Sequence, residues 1–159
     1  MKIEFTSIGI IHTPFKEPAA MPIQPAGAKG VKGTVTVFEN FQPGLQDLDG
    51  FSHIILLYCF HRSRGCQLKV VPFMDSVQHG IFATRAPKRP NPLGFSIVQL
   101  ERVAKGVLHV RNVDMLDNTP LLDIKPYVPQ FDRQTVVKTG WLEKITKTAA
   151  QQKADDRFT

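Results

Sequence analysis

The chain has 159 residues, 42% of them apolar, and a formal net charge of +6. That length suits one domain with a sizeable core, and that apolar fraction excludes a disordered chain. The charge favours anionic partners: nucleic acid, or ligands bearing phosphate or carboxylate.

The opening "MKIEFTSIGI" lacks the apolar core and small-residue cleavage site of a signal peptide, so a cytoplasmic location is expected. Phe5 to Thr13 reads as a first strand. Pro14 to Gly30 follows as a long proline-rich loop, of a length that often serves function. Val31 to Phe38 alternates, with Val31, Gly33, Val35 and Val37 on one face and Lys32, Thr34 and Thr36 on the other. Ser52 to Arg62 is apolar on both faces and predicts a central strand. It holds the longest apolar run, "IILLYCF", far too short to cross a bilayer.

Gln67 to Phe73 and Gly80 to Thr84 are two further short strand candidates. Phe95 to Val103 and Val107 to Met115 flank "AKG" as a hairpin, and Pro120 to Val128 is extended. Repeated strands without regular intervening helices predict a mainly β fold: a small closed antiparallel or mixed β-barrel with long functional loops and a short C-terminal helix. Closure would remove strand edges. Residues 1–145 read as one barrel domain and 146–159 as a helical or frayed tail, with Trp141, Leu142 and Ile145 sharing a helical face.

Three polar clusters stand out. In "ATRAPKRPNPLGFS", Pro87, Pro90 and Pro92 restrict the backbone, and Gly94 permits close approach. Such a turn can hold Arg85 and Arg89 with little freedom left to lose, and a guanidinium donates to carboxylate or phosphate. The bland alternative is a rigid solvated turn. In "VDMLDNTPLLDIKPY", Asp114, Asp117, Asn118 and Thr119 precede Pro120 as a turn signal. The same residues are a candidate grip on a polar ligand. Asp123 and Lys125 fall on one face if extended, and Tyr127 either stacks on a base or packs. In "CFHRS", Cys59 and His61 share a face, yet with Cys66 they match no strong metal motif. No metal is expected, and the two cysteines read as reduced thiols. No glycine-rich dinucleotide fingerprint or phosphate-binding Walker motif is present.

Four stretches in order, "IGIIHTPFKE", "DGFSHIILLYCFHRS", "GIFATRAPKRPNPLGFSIVQL" and "VDMLDNTPLLDIKPYVPQFD", resemble the tRNA threonylcarbamoyladenosine methyltransferase family over residues 8 to 132. The resemblance implies an S-adenosylmethionine-dependent methyltransferase on a non-Rossmann β-barrel, which fits the missing fingerprint. It implies a homodimer with cofactor sites near the subunit interface. The implied substrate is the tRNA anticodon loop, methylated on N6 of threonylcarbamoyladenosine at nucleotide 37. The chain resembles the short form, without the extra C-terminal domain of longer relatives.

Carried over, cofactor contacts fall on Pro22, Ile23, Gln24, His61, Arg62, Arg85, Asp117, Asn118, Thr119 and Pro120. Substrate contacts fall on Lys88, Arg89, Asn91, Lys125 and Tyr127. Ile23 stands where the family usually has a basic residue, and Asn118 where it commonly has glycine. His61 and Asp117 are weak candidates for a proton acceptor, with no base singled out. Two other readings remain: an RNA-binding β-barrel without methyl transfer, and a methyltransferase of the same fold with another substrate.

Overall fold

The computed structural model describes residues 1–18, 21–22, 25–135 and 138–144. Six strands close into an antiparallel barrel: β1 (Gly9–His12), β2 (Lys32–Val37), β3 (His53–Cys59), β6 (Leu93–Ala104), β7 (Val107–Arg111) and β8 (Thr119–Pro126). Around the barrel the order is β1-β2-β7-β6-β3-β8. A two-stranded ribbon, β4 (Lys69–Val70) with β5 (His79–Gly80), lies in the long connection from β3 to β6. A short helix, α1 (Pro129–Asp132), follows β8. The expected closed barrel and short C-terminal helix are both present.

Period-two alternation fills the barrel. Ile11, Val35, Ile54, Leu56, Val98, Leu108, Val110 and Leu121 point inward and are fully buried. Each such side chain contributes roughly 1.5–3 kcal/mol by leaving water. Val113 and Met115, from the segment between β7 and β8, complete the same core. The predicted hairpin is β6–β7, turned by Lys105 and Gly106 at φ 49° and 75°. Two successive positive φ values match the right-handed twist of the flanking strands.

Several predicted strands are shorter than their apolar runs. Phe5 to Ile8 stays outside β1, whose pairing on both sides begins at Gly9, opposite Val37 and Leu121. From Gln67 to Phe73 only Lys69–Val70 pairs, just short of Pro72, which has no N–H to offer a ladder. Ile81–Ala83 winds into a 3-10 turn closed by Thr84 N–H to Ile81 O, so the predicted Gly80–Thr84 strand is corrected. β3 is central in being paired to both β6 and β8, but its two faces differ. Ile54, Leu56 and Tyr58 fill the core, while Ile55, Leu57 and Cys59 are half-buried outside. At the tail, Gly140–Lys144 forms a 3-10 turn. Trp141 stacks on His79 at 4.4 Å and donates Nε1–H to Ala83 O at 2.8 Å, so its partners lie in the β3–β6 connection. Ile145 and the predicted 146–159 tail lie outside the described residues.

Antiparallel order decides where the loops go. The ends of β1, β3 and β7 and the starts of β2, β6 and β8 share one rim of the barrel. That rim therefore carries the connections 13–31, 60–92 and 112–118. These hold nearly all the polar motifs of the sequence.

Candidate functional site

Asp117 is the hub that ties two of these loops together. Its Oδ1 accepts from Thr13 N–H at 3.0 Å and its Oδ2 from Lys16 Nζ at 2.6 Å. Asn118 Nδ2 adds a 2.9 Å bond to Oδ2, and the Asp117 amide donates to Phe15 O at 2.7 Å. The Lys16 bond above all holds this carboxyl below its usual range. Asn118 adopts φ 59°, the left-handed turn conformation that asparagine tolerates where glycine is the commoner choice. Thr119 Oγ1 donates to Leu116 O at 2.7 Å, which closes the turn.

The second junction joins this turn to the end of β3. His61 Nδ1 lies 3.4 Å from Thr119 Oγ1. The threonine proton is already committed to Leu116 O, so a ring N–H at Nδ1 would complete this contact. Burial, then the neighbouring Arg62 charge, lower the His61 pKa, which favours this neutral ring. Arg62 reaches across to Glu17 at 3.0 Å, linking the β3 end to the first loop. Ser63 Oγ, next in the chain, is buried without a partner among the described residues.

The two arginines of the proline-rich turn behave differently. Arg89 Nη1 donates to Ile81 O at 3.1 Å and Thr84 O at 2.8 Å, and its guanidinium lies 5.8 Å from the Phe82 ring centre. It organises the loop from within. Arg85 is exposed and has no ion-pair partner among the described residues. Asn91 is also exposed, while its carbonyl accepts from Leu93 N–H at 2.8 Å. Pro22 is buried in the first loop; Ile23 and Gln24 lie outside the described residues.

Pro22, His61, Arg62, Arg85, Lys88, Arg89, Asn91 and Asp117 to Pro120 therefore share one end of the barrel. Lys125 and Tyr127 do not. β8 carries Lys125 about 20 Å beyond Thr119, at roughly 3.3 Å per residue. There Lys125 pairs with Asp123 at 2.8 Å, the same-face contact that alternation predicts. Tyr127 meets His53 edge-on, with ring centres 6.4 Å apart. An open groove of about 550 Å³ runs beside the Asp117 hub, lined by His12, Thr13, Lys16, Lys32 and His109 among others.

One polar group in the barrel mouth was legible in the sequence only as part of a turn. Asp114 Oδ1 accepts from Ser96 Oγ at 2.6 Å, and Ser96 Oγ lies 3.0 Å from the buried Tyr58 hydroxyl. Ser96 sits inside β6, one pleat beyond Gly94, where an added Cβ would fall 2.1 Å from the Tyr58 ring. The glycine thus makes room for the tyrosine that ends this chain. Desolvation pushes the Asp114 carboxyl up to about 6, against the Ser96 bond and the Arg85 charge. It also raises the Tyr58 phenol.

Residues 10–133 match the family model described as tRNA-methyltransferase O N-terminal domain. The chain is 52% identical over 158 residues to a Pyrococcus abyssi protein named "Probable S-adenosyl-L-methionine-binding protein", covering 99% of this chain and 86% of that one. It is 33% identical over 132 residues to the human tRNA (adenine(37)-N6)-methyltransferase, covering 79% of this chain but 30% of the human protein. The crystal structure of TrmO from Pseudomonas aeruginosa superposes with a TM-score of 0.74 at 38% identity, over 89% of this chain and 63% of that one. The chain belongs to the tRNA-methyltransferase O family of S-adenosylmethionine-binding β-barrel methyltransferases.

Proposed function

We propose that the protein methylates N6 of threonylcarbamoyladenosine at nucleotide 37 of tRNA, using S-adenosylmethionine. The observation that carries this reading is the convergence of three separated motifs on one barrel rim, held there by Asp117 and by the His61–Thr119 contact. The donor set suits the cofactor. Arg85 offers an exposed guanidinium for its carboxylate, Ser63 Oγ is a buried polar atom without a partner among the described residues, and the Asn118 turn lies at the rim. Pro22, His61, Arg62 and Asp117 to Pro120 complete the proposed pocket, and the family resemblance adds Ile23 and Gln24, which lie outside the described residues.

When bound, the cofactor supplies an electrophilic methyl group on a sulfonium. The protein's own task is orientation. Asp117 fixes the first loop against the turn, so two walls of the pocket move as one. Arg89 stiffens the loop that presents Arg85, and Lys88 and Asn91 of the same loop are the proposed contacts with RNA phosphate. Pre-ordering of this kind removes entropy that the reaction would otherwise have to supply. The open groove, where Lys16, Lys32 and two histidines stand beside Glu101 and Asp117, is the proposed extension of the RNA-facing surface.

The outer face of β3 and β6 supports the proposed homodimer. Leu93 and Phe95 are 42% and 45% exposed, beside half-buried Ile55 and Leu57. A second copy of the chain would cover this apolar face, which Phe95→Glu would keep apart in light scattering. A tRNA substrate places the protein in the cytoplasm, and among the described residues no helix is long and apolar enough to cross a membrane.

Calorimetry with S-adenosylmethionine, followed by methyl transfer to tRNA with and without the threonylcarbamoyl group, tests the reading. Saturable binding near one cofactor per chain and transfer confined to the modified tRNA are expected. No cofactor binding by folded protein, with or without tRNA, rejects it in favour of an RNA-binding barrel. Transfer to a different acceptor keeps the chemistry and rejects the substrate.

A further inference from the structure

We propose that Asp114 is the proton acceptor of the methyl-transfer step, held for that role by Ser96 and Tyr58. The assignment rests on the methyltransferase reading above and concerns the fate of the N6 proton within it. Three observations carry it.

The first is place. Asp114 stands in the 112–118 connection, three residues before the Asp117 hub, on the rim where the cofactor residues converge. The second is connection. Ser96 belongs to β6, which emerges from the Arg85–Asn91 turn, so the Ser96–Asp114 bond of 2.6 Å ties that loop to the Asp117–Pro120 turn. The third is unused capacity. Within the described residues the Asp114 carboxylate receives Ser96 Oγ and its own backbone N–H. A carboxylate offers about four lone-pair sites, so it retains room for one more donor.

The other candidates on the rim are worse placed chemically. Both oxygens of Asp117 are occupied by Thr13, Lys16 and Asn118, and the lysine charge favours its ionised form. Burial and Arg62 lower the affinity of His61 for a proton. Asp114 is opposite in character. Burial raises its proton affinity, and the groups acting on it are Arg85 from the β3–β6 connection, Tyr58 from β3 and Ser96 from β6. A base whose pKa lies near the working pH is the most effective.

The step balances as follows. The N6 lone pair forms the new N–CH3 bond while the S–CH3 bond breaks, its electron pair staying on sulfur as a neutral thioether. The N6–H proton passes to Asp114, which becomes a neutral carboxylic acid. Water then takes the proton, restoring the carboxylate.

The test is single-turnover transfer to modified tRNA from about pH 5 to about pH 8, with saturating cofactor, for wild type, Asp114→Asn and Ser96→Ala. The wild-type rate should rise through a limb near pH 6 and level off. Asp114→Asn should lose about 100-fold or more of the plateau, together with the limb, while binding S-adenosylmethionine within about threefold of wild type. Ser96→Ala removes a bond that favours the ionised form, so its limb should move to higher pH. In the cofactor-free protein, carbon-13 NMR of aspartate carboxyls should show one resonance titrating near 6, absent from Asp114→Asn. Undiminished transfer by Asp114→Asn, or a limb that neither variant moves, overturns the assignment. Wild type that transfers nothing to modified tRNA rejects instead the reading on which it rests.

Discussion

The two ends of the barrel are built from the same strands and could hardly differ more. At one end β6 turns into β7 through Lys105 and Gly106 alone, and compact 3-10 turns over Glu39–Leu45 and Leu48–Gly50 join β2 to β3. At the other, the connections 13–31, 60–92 and 112–118 gather three exposed arginines, the half-buried Asp114 carboxylate and two left-handed asparagines, Asn112 and Asn118. The closed end keeps its polar groups for its own turns: Gln42 Nε2 bonds Val37 O at 3.0 Å. Among the described residues, the open end leaves Ser63 Oγ unpaired and Asp114 partly satisfied. Tight turns and the proposed chemistry lie at opposite ends of the barrel axis.

Asp114→Asn should sharpen that separation most. Its folded carboxyl is raised from 3.8 to about 6, so this site's contribution is fully present below pH 3.8 and is lost as pH rises through 6. Replacing the buried charge should therefore stabilise the protein above pH 6 by up to about 3 kcal/mol, at 1.36 kcal/mol per unit, while turnover collapses. Thermal melting across pH measures this; a loss of stability at neutral pH would mean that the carboxylate is structural. Arg85→Ala should come next, weakening cofactor binding by about 10- to 100-fold through a lost charge-assisted contact, with melting unchanged. Calorimetry reads it, and native affinity would pass that role to Arg62.

At the closed end the signs reverse. Gly106→Ala places a side chain at φ 75° and a Cβ within 2.2 Å of Gln42 Nε2, which must give way. It should cost about 1–2 kcal/mol in chemical denaturation and leave cofactor affinity alone. Lys125→Ala should matter least. An exposed pair with Asp123 is worth under about 1 kcal/mol, and transfer should stay within about twofold. A tenfold drop would show that RNA reaches the far end.

The barrel was legible because alternation in Lys32–Val37 and across the β6–β7 hairpin is a local property that each strand advertises by itself. Contiguity in sequence misled where β8 begins in the site and leaves it. "DNTPLLDIKPY" reads as one motif, yet extended backbone separates Thr119 from Tyr127 by the height of the barrel. Arg85 and Arg89 look equivalent on paper; only folding shows that the carbonyls of Ile81 and Thr84 capture one of them. Asp114 looked like a turn residue because its partner, Ser96, lies across the barrel mouth in a strand whose register no local pattern reveals. His61 and Thr119 meet for the same non-local reason.

Closure of the six-stranded sheet has a consequence for how this protein keeps company. Every barrel strand is laddered to two neighbours, so none is an outright edge; residues 93–98 of β6 and 123–126 of β8 are laddered on one flank only, by β3. An incoming strand finds at most these short half-laddered stretches, and self-association through the rest of the barrel would first have to tear open a hydrogen-bonded seam. Most of the barrel wall therefore offers a neighbouring copy no backbone on which to template.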